Sequence, residues 1–412
     1  MTPSLLATEL QTSIRAFLGA TFPMTSAGFR RPDGRTMVDD FLDGGEALFR
    51  GPYVSLGLPF RKAAPGEILP FEHIQVGFQP YRHQARAFDR LCAVRPSSAL
   101  VATGTGSGKT ECFFLPILEH CAANQQKGIK AIIVYPMNAL ATDQARRFAK
   151  EIFSQEATRG KVRVGLYTGD QESSPEKQMT EERVVSCKET LRAEPPDILL
   201  TNYKMLDFLL MRPRDQALWK HNESGELRFL VVDELHTFDG AQGTDLACLI
   251  RRIRARLEGK QDIACVGTSA TIGGDSEKSR LLDYASEVFA TEFDEGALIL
   301  EDRQTPAEFL EGIKPEPQEW PVRGMGRAMR PEIYDTATDY LQRQAKLWFG
   351  DEAPGLDAGN SESARTARYE LAEKLRHHGA VHELLDIFSR VRDVDGVLAD
   401  WQTRFRIDAQ RA

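Results

Sequence analysis

The sequence predicts an α/β fold, in which helices cover a mostly parallel β-sheet. The first observation is that, from about residue 78, short apolar runs alternate with longer helical segments. Strands buried on both faces of a parallel sheet have this continuous apolar character, and helices form the crossovers between them. The second is a glycine-rich turn that joins one such strand to a helix. A short N-terminal extension precedes this region, and a mainly helical segment follows it.

The predicted strands have apolar centres that are bounded by polar residues or by glycine. They are SSALVAT (97–103), KAIIVYP (130–136), VRVGLYTG (162–169), DILLTN (197–202), RFLVVDE (228–234) and DIACVGTSA (262–270). The clearest helices between them are ECFFLPILEHCAA (111–123) and NALATDQARRFAKEIF (138–153). We therefore predict an extension over residues 1–70, an α/β lobe over 71–290, and a linker with a helical region over 291–412.

Composition sets broad limits on the class of protein. The chain has 412 residues, 42% hydrophobic and 27% charged, which is ordinary for a globular protein of two or three domains. Its net charge of −8 gives no global basic field, although a local basic surface suffices to bind nucleic acid. None of the six cysteines form C-x-x-C pairs, and no apolar run approaches ~18 residues. We expect free thiols, a cytoplasmic location, and no membrane span or signal peptide.

The glycine-rich turn lies in ATGTGSGKTE, residues 102–111. Between a strand and a helix, such a sequence is typical of a loop whose backbone amides hold phosphate groups. Lys109 is placed to reach the β- and γ-phosphates, and the Thr110 hydroxyl to bind Mg²⁺. Thr103 stands where the common pattern has its first glycine, and the alternative is a glycine-rich turn that binds nothing. The predicted nucleotide contacts in the loop are Thr103, Gly104, Thr105, Gly106, Ser107, Gly108, Lys109 and Thr110.

An acidic pair follows the apolar strand in FLVVDELHTFDG, residues 229–240. Downstream of a phosphate loop, Asp233 is expected to hold Mg²⁺ through water and Glu234 to polarise the attacking water. We therefore predict Lys109, Asp233 and Glu234 as catalytic residues, with Thr110 and Asp233 at the metal. His236 does not complete H-E-x-x-H, which excludes that zinc-protease pattern. The remaining alternative is an acidic strand end that faces solvent.

The order and spacing of these motifs resemble superfamily 2 helicases of the DEAD/DEAH type, here with the variant DELH. FQPYRHQ (78–84) is similar to the Q motif, which implies that Gln84 reads the adenine edge and Phe78 stacks on the base. YPMNALATDQ (135–144), YTGD (167–170), LLTNYKML (199–206) and GTSATIG (267–273) are similar to motifs Ia, the glycine turn, Ib and III. Each short motif is weak alone, but together and in this order the motifs are specific. The resemblance covers about 75–274 and implies a RecA-like P-loop NTPase lobe.

Longer stretches resemble the large bacterial helicases of phage-defence islands (DISARM-type) and of mitomycin repair. They are LFRGPYVSLGLPFR (48–61), TGTGSGKTECFFLPIL (103–118) and DELHTFDGAQGTDLACLIRRIRARL (233–257). The resemblance implies ATP and Mg²⁺ as cofactors, and DNA more than RNA as the partner. An RNA helicase remains an alternative because the shorter motifs are shared.

The family resemblance also implies roles at the sheet edge. Motifs Ia, Ib and the glycine turn would hold the phosphate backbone through Pro136, Asn138, Thr168, Gly169, Thr201 and Asn202. Motif III would couple the acidic pair to a second lobe: the hydroxyls of Ser269 and Thr271 would hydrogen-bond to the acidic pair, and His236 would take part in the coupling. The alternative is a plain turn after a strand. Separately, the predicted helix 245–257 carries arginines at 251, 252, 254 and 256. This face is either a strand-tracking surface or an ordinary solvated helix surface.

A helicase of this superfamily has two RecA-like lobes, and the second supplies an arginine to the ATP site. VRGMGRAMR (322–330) is superficially similar to that motif, but it follows motif III too closely for a whole lobe to intervene. We therefore expect the second lobe from a partner chain or from a missing C-terminal part. Because an arginine finger contributes ~10³–10⁵ in rate, the chain alone is expected to bind ATP–Mg²⁺ and hydrolyse it slowly. A non-catalytic nucleic-acid-binding or assembly module is the alternative.

Overall fold

The computed structural model describes most of the chain. The residues described are 3–23, 26, 28, 32–43, 53–54, 56–169, 175–222, 225–257, 262–270, 275–315, 333–350, 353, 361–388, 392–393, 396–397, 399–400 and 403. The chain divides into two compact units. One comprises Met1–Pro59 with Gln304–Ala412, and the other comprises Phe60–Arg303. The predicted lobe of residues 71–290 lies within the second unit.

The strands of both units are short. In chain order they are β1 (Tyr53–Val54), β2 (Ala99–Ala102), β3 (Ala131–Tyr135), β4 (Val164–Tyr167), β5 (Ile198–Asn202), β6 (Phe229–Val232), β7 (Ala264–Ser269), β8 (Leu298–Leu300) and β9 (Arg392–Asp393). Seven of them form one sheet in the Phe60–Arg303 unit, in the order β4-β5-β3-β6-β7-β2-β8. All of its neighbouring strands are parallel. β1 and β9 pair antiparallel in the other unit.

Helices connect these strands, and they make up most of the described part of the other unit. They are α1 (Pro3–Thr21), α2 (Met37–Asp43), α3 (Arg82–Leu91), α4 (Lys109–Ala123), α5 (Asn138–Ser154), α6 (Lys188–Ala193), α7 (Tyr203–Met211), α8 (Gly240–Leu257), α9 (Asp275–Phe289), α10 (Pro306–Phe309), α11 (Ala337–Phe349), α12 (Ser361–His377) and α13 (Gly379–Ile387). Short 3₁₀ turns occupy Pro213–Trp219, Leu235–Thr237 and Glu295–Ala297.

Alternate strand residues supply two separate apolar layers, one on each face of the sheet. On one face, Phe113 of α4 and Phe148 of α5 are buried with alternate strand residues such as Ile133. On the other face, Ile250 of α8 is buried with the strand residues that alternate with the first set, such as Ile132. Because successive side chains of a strand point to opposite faces, both layers require apolar residues at every strand position. This explains why the strands read as continuous apolar runs.

A buried carboxylate fastens the segment before α3 onto α4. Glu119 accepts hydrogen bonds from the amides of Glu72 (3.0 Å), His73 (3.1 Å) and Ile74 (3.0 Å). Its Oε1 also lies 2.7 Å from His73 Nδ1. Burial alone would raise the pKa of Glu119, but the hydrogen bonds from His73 and these amides outweigh it, so the pKa lies below its usual value.

The predicted α/β class is confirmed, and so is the helical character of the C-terminal region. Six predicted strands correspond to β2–β7. β8 was not predicted, because it lies in a stretch that the sequence assigned to a linker and helices. Three apolar residues are too few for a periodicity to distinguish a strand from a helix turn. None of the described helices combines the length and the hydropathy that a membrane span requires.

Among the residues that the structure describes, the Met1–Pro59 and Gln304–Ala412 unit consists mainly of helices. Thr36 lies next to α2, and its hydroxyl and amide both bond to Asp39. α10 begins with a capping box, in which Thr305 and Glu308 bond to each other's backbone amides. Ala345 of α11 and Ala367 of α12 lie together in a small buried cluster. These caps and contacts explain where the helices begin and pack.

Candidate functional site

The predicted phosphate loop runs from Thr103 to Gly108 between β2 and α4. Gly106 and Gly108 have φ angles of +80° and +76°, a conformation that side chains other than glycine's rarely adopt. A Cβ atom on Gly108 would lie 2.2 Å from Gln84 Nε2, whereas one on Gly106 would meet open space. The backbone conformation therefore favours glycine at both positions, and at 108 a side chain would also have to displace the Gln84 amide.

Internal hydrogen bonds hold the base of this loop. Thr103 and Ser107 are buried, and their hydroxyl oxygens are 2.6 Å apart. The carbonyl of Ser107 lies 2.8 Å from His83 Nε2 of α3. The common pattern has glycine at position 103. Thr103 instead provides a hydroxyl, which forms a hydrogen bond with the Ser107 hydroxyl. The loop tip, Thr105 and Gly106, is exposed.

Lys109 begins α4, and its side chain extends across the sheet edge. Its Nζ atom is 3.4 Å from Glu234 Oε1 after β6, and 3.3 Å from the carbonyl of Ser269 at the end of β7. The next residue, Thr110, lies 3.5 Å from the Oε1 atom of Gln144 on α5. The structure thus brings together Lys109 and Glu234, two residues predicted as catalytic that lie 125 positions apart in the sequence.

Asp233 and Glu234 leave β6 with their backbone held by neighbouring strands. The Asp233 amide donates to the carbonyl of Val134 at 2.9 Å, and the Glu234 amide donates to the Thr268 hydroxyl at 2.9 Å. Thr268 in turn donates to Asp233 Oδ1. Burial raises the pKa of Asp233 above its usual value; the Thr268 hydrogen bond opposes this shift, and the Glu234 charge adds to it.

Glu234 also has an uncommon backbone conformation. Its φ and ψ are both 49°, which places a residue other than glycine in the left-handed region. Such a conformation costs of order 1–3 kcal/mol and is maintained only where surrounding contacts hold it. Here the Thr268 hydroxyl holds the Glu234 amide, so the turn directs the carboxylate towards Lys109.

The motif III residues are arranged differently from the prediction that Ser269 and Thr271 bond directly to the acidic pair. Ser269 Oγ lies 3.4 Å from His236 Nδ1, and that nitrogen lies 3.5 Å from Glu234 Oε2. Ser269 therefore reaches the acidic pair through His236, and the direct hydroxyl contact comes from Thr268. Thr268 was missed because it lies inside the strand pattern. Thr271 falls outside the described residues.

The Q-motif residues occupy contrasting positions. The Gln84 side chain is buried; its Oε1 accepts from the Tyr81 amide at 2.9 Å, and its Nε2 donates to the carbonyl of Gly108 at 3.2 Å. Gln84 thus contacts the end of the phosphate loop. Phe78, predicted to stack on the base, is 47% exposed. A group of aromatic rings lies near α3, formed by Phe60, Tyr81 and His83.

Four of the predicted nucleic-acid residues follow β3 or β4 and the other two end β5, so all of them lie at the same sheet edge. Asn202 Nδ2 donates to Asn138 Oδ1 at 2.6 Å, and Asn202 Oδ1 caps α7. Thr201 is fully buried, and its hydroxyl donates to the carbonyl of Tyr167 at 2.7 Å. Thr168 is also buried, at 7% exposure, whereas Gly169 is exposed and Pro136 half-buried. The Thr201 hydroxyl therefore holds the glycine turn in place.

The arginines of α8 are engaged with neighbouring elements. Arg251 donates to the carbonyl of Glu287 at 2.9 Å, and Arg254 donates to that of Phe289 at 3.1 Å, both at the end of α9. Arg252 forms an ion pair with Asp207 of α7, and Arg256 donates to the carbonyl of Leu210 at 3.0 Å. These contacts favour the alternative in which this face is an ordinary packed and solvated helix surface.

Glu301 was not predicted as a site residue, yet it contacts the phosphate loop. Its Oε2 accepts a hydrogen bond from the Gly104 amide at 2.8 Å. β8 pairs with β2 such that Leu300 lies opposite Ala102. The signal for this contact is a carboxylate directly after a strand, but it becomes informative only when the strand order is known.

Comparison with protein families identifies a match over about half of the chain. The DEAD/DEAH box helicase family matches residues 81–279. This range contains the phosphate loop, the acidic pair, the strand-edge residues and Ser269. It also begins at the Q-motif helix.

Individual proteins are also similar to this chain. Druantia protein DruE of Escherichia coli (strain UMEA 4076-1) is 27% identical over 329 residues, covering 56% of this chain and 18% of that protein. The ATP-dependent helicase YprA of Bacillus subtilis (strain 168) is 29% identical over 201 residues, covering 48% of this chain and 23% of that protein. The chain thus spans less than a quarter of either relative. The crystal structure of DUF1998 helicase MrfA bound to DNA and AMPPNP covers 78% of this chain and 41% of that chain, with 20% identity and a TM-score of 0.45.

Proposed function

Because residues 81–279 form a DEAD/DEAH box helicase domain of superfamily 2, we propose that this chain supplies the ATP-binding lobe of an ATP-dependent DNA helicase or translocase. The observation that carries the proposal is the meeting of Lys109 and Glu234 at the carboxyl edge of the sheet, at 3.4 Å. In parallel α/β sheets, ligands bind outside this edge. The phosphate loop, the acidic pair and the sheet edge would each bind a different part of the ligands.

The phosphate loop fits a triphosphate in shape and in charge. Gly106 has open space where a side chain would stand, so phosphate oxygens can approach its backbone closely. α4 presents its N-terminus at the loop, and helix N-termini favour anions. Lys109 adds the cation for the β- and γ-phosphates, and its contacts with Glu234 and Ser269 hold it at the site. Gln84 would recognise the adenine edge, with Phe78 against the base.

The acidic pair and Thr110 fit a magnesium ion bound together with phosphates. Mg²⁺ is usually held by one or two carboxylates, several waters and substrate phosphates. Asp233 and Thr110 would hold the ion, and Glu234 would orient and polarise a water. Bound ATP–Mg²⁺ would supply the phosphoanhydride that is hydrolysed. Burial raises the pKa of Asp233, and the positive charges of the ion and of Lys109 would favour its charged form.

The sheet edge after β3, β4 and β5 is the proposed nucleic-acid surface. Asn138 and Asn202 bond to each other there, and Gly169 exposes backbone beside them. Such groups contact phosphates and so position a strand without reading its sequence. DNA is proposed over RNA on the motif resemblance to large bacterial DNA helicases. His236 and Ser269 would link the nucleotide state to a second lobe.

We also propose that the ATP site is completed by residues supplied from outside residues 1–412. VRGMGRAMR (322–330) follows motif III too closely to belong to a second lobe, and no other stretch of the sequence between residues 275 and 412 resembles the arginine-bearing motif. An arginine from a partner chain or from further sequence would then complete the site. The expected consequence is ATP binding with slow turnover for this chain alone.

The decisive experiment measures affinity for a fluorescent ATP analogue with Mg²⁺. Lys109→Ala should weaken binding at least tenfold, because it removes the cation at the phosphates. Lys127→Ala is the matched control, since Lys127 is exposed and precedes β3, at the opposite edge of the sheet. A wild-type chain that does not bind the analogue, or a Lys109→Ala variant that binds as well as wild type, would refute the nucleotide site.

The nucleic-acid part needs a separate experiment. In the two-lobed protein, single-stranded DNA should stimulate ATP hydrolysis more than RNA of the same sequence. Stronger stimulation by RNA would replace DNA with RNA as the substrate. If Lys109→Ala leaves the assembled system fully functional, the lobe acts as a non-catalytic module.

A further inference from the structure

The carboxylate of Glu301 lies against the phosphate loop, although no motif includes it. β8 runs parallel to β2 at the edge of the sheet, with Leu300 opposite Ala102. Both strands therefore end at the same level. Gly104 and Glu301 follow them by one or two residues and meet there.

Both oxygens of this carboxylate are engaged. Oε2 accepts from the Gly104 amide at 2.8 Å, and Oε1 accepts from Arg303 Nε at 2.8 Å. The Arg303 guanidinium lies over the Phe60 ring, 4.1 Å from its centroid. A carboxylate held at both oxygens has little freedom to turn away. Its hydrogen bond therefore fixes the Gly104 amide in one orientation.

The position of Gly104 affects the rest of the loop. Its carbonyl accepts a hydrogen bond from the Ser107 amide at 3.4 Å, which closes the turn over the loop tip. Ser107 is fixed on its other side by Thr103 and His83. Glu301 thus acts at the entry of the loop, while His83 and Gln84 act at its exit.

The charge at Glu301 also bears on phosphate binding. A lone carboxylate beside a phosphate loop would repel the ligand, but Arg303 neutralises this one at contact distance. Although burial would raise the pKa of Glu301, hydrogen bonds from Arg303 and Gly104 lower it, so the group is charged near neutral pH. The pair therefore offers a strong acceptor to the loop with little net charge.

The segment that carries Glu301 is itself fixed. Asp302 forms ion pairs with Arg61 and with Arg82, the latter at 3.3 Å. Arg82 is the first residue of α3, the Q-motif helix. Residues 301–303 therefore contact the phosphate loop and also the helix that supplies Gln84.

We propose that Glu301 is a positioning residue of the nucleotide site, which holds the phosphate loop in its binding conformation through the Gly104 amide. The inference rests on the proposed ATP-binding function. Glu301 touches no reacting atom in this role. It acts through the loop backbone, and Arg303 supports it by sharing the carboxylate.

The test compares variants by their affinity for a fluorescent ATP analogue with Mg²⁺. Glu301→Ala should weaken affinity about tenfold, because the loop loses its anchor. Glu301→Gln should stay within about threefold of wild type, since its amide oxygen can still accept from Gly104. Asp294→Asn is the matched control, because Asp294 pairs with Arg90 at an exposed site of the same unit.

A second readout separates positioning from general stability. Hydrogen exchange of the peptide that contains residues 103–108 should quicken in Glu301→Ala, and stay unchanged in Asp294→Asn. If Glu301→Ala does not fold, Glu301→Asp serves, since it keeps the charge but shortens the reach to Gly104. Its affinity should then fall in the same way.

Failure of the role proposed for Glu301 can be distinguished from failure of the proposed ATP-binding function. If wild type binds the analogue and Lys109→Ala does not, the nucleotide site stands. In that case, the role of Glu301 would be overturned if Glu301→Ala had the affinity and the loop exchange of wild type. If the alanine variant does not fold, wild-type affinity in Glu301→Asp would overturn it. If Lys109→Ala also binds as well as wild type, the nucleotide site itself is refuted.

Discussion

The Thr268 hydroxyl donates a hydrogen bond to Asp233, and the same oxygen accepts one from the Glu234 amide. A single side chain on β7 therefore orders both members of the acidic pair that follow β6. Its hydrogen bond lowers the pKa of Asp233, which opposes the increase caused by burial, and it supports the left-handed backbone at Glu234. This arrangement makes a residue outside the acidic motif important for the motif's chemistry.

Thr268→Val should shift the pH dependence of Mg²⁺-dependent nucleotide binding to higher pH. The variant removes the hydrogen bond that lowers the pKa of Asp233, so the pKa rises further, and the charged form needed for Mg²⁺ appears later as pH increases. A shift of one pH unit corresponds to 1.36 kcal/mol, which is within the strength of a hydrogen bond to a charged group. Affinity titrations across pH would measure it, with Thr268→Ser as the control that keeps the hydroxyl. An unchanged acid limb in Thr268→Val would contradict the assignment.

Gly108→Ala should destabilise the fold more than Gly106→Ala. Both variants place alanine in a left-handed conformation, at about 1–2 kcal/mol each. Only at Gly108 does the new methyl group meet the Gln84 side chain. Urea unfolding would give the two free energies, and the difference should shrink in a Gln84→Ala background. Equal losses for the two glycines would show that Gln84 yields without cost.

Glu119→Gln should destabilise the protein by about 1.5–3 kcal/mol near pH 7, because a charged acceptor of several hydrogen bonds is lost. Since the folded pKa of Glu119 lies below its usual value, this stability is present above the unfolded pKa, near 4.3. It is lost as pH falls through the folded pKa. Urea unfolding at several pH values should therefore show the gap between wild type and variant closing in acid. The exposed Glu292→Gln is the control, and a gap independent of pH would contradict the prediction.

The double variant Arg251→Ala with Arg256→Ala should leave the salt dependence of single-stranded DNA binding unchanged, because both arginines bond to neighbouring helices. If they instead neutralised phosphates, the slope of log affinity against log salt would fall by about 1.4 in magnitude, at ~0.7 per phosphate. Lys204→Ala is the comparison, since Lys204 is exposed beside Asn202 and should lower the slope. Affinities at several salt concentrations decide between the two surfaces.

Most of what could be predicted from the sequence depended on patterns within short, continuous stretches of residues. The strand, glycine loop and helix around Lys109 follow one another directly, so residue type and order specify them together. The acidic pair is equally local, because an apolar strand ends where the two carboxylates begin. Six of the seven strands of the sheet were recognisable because burial on both faces demands an unbroken apolar run.

Relationships between neighbouring strands were harder to predict. Thr268 and Glu301 act on residues that are 35 and 197 positions away, and only the strand order places them there. Thr201 was predicted as a nucleic-acid contact from its motif, but its hydroxyl is used within the sheet edge. In each case the residue type was visible, and its partner was determined by a parallel pairing that local periodicity does not encode.

The pairing of β2 with β8 has a consequence for the order of events during translation. Gly104 leaves the ribosome 197 residues before its hydrogen-bond partner Glu301. At about 5–20 residues per second, that interval is roughly 10 to 40 s. Throughout this time β2 lacks β8, and until residue 269 has emerged it lacks its other neighbour, β7, as well. The loop after β2 also lacks its carboxylate anchor. Strands β3 to β6 can therefore pair with one another before β2 joins the sheet, and the entry to the phosphate loop reaches its final form only once residue 301 has emerged.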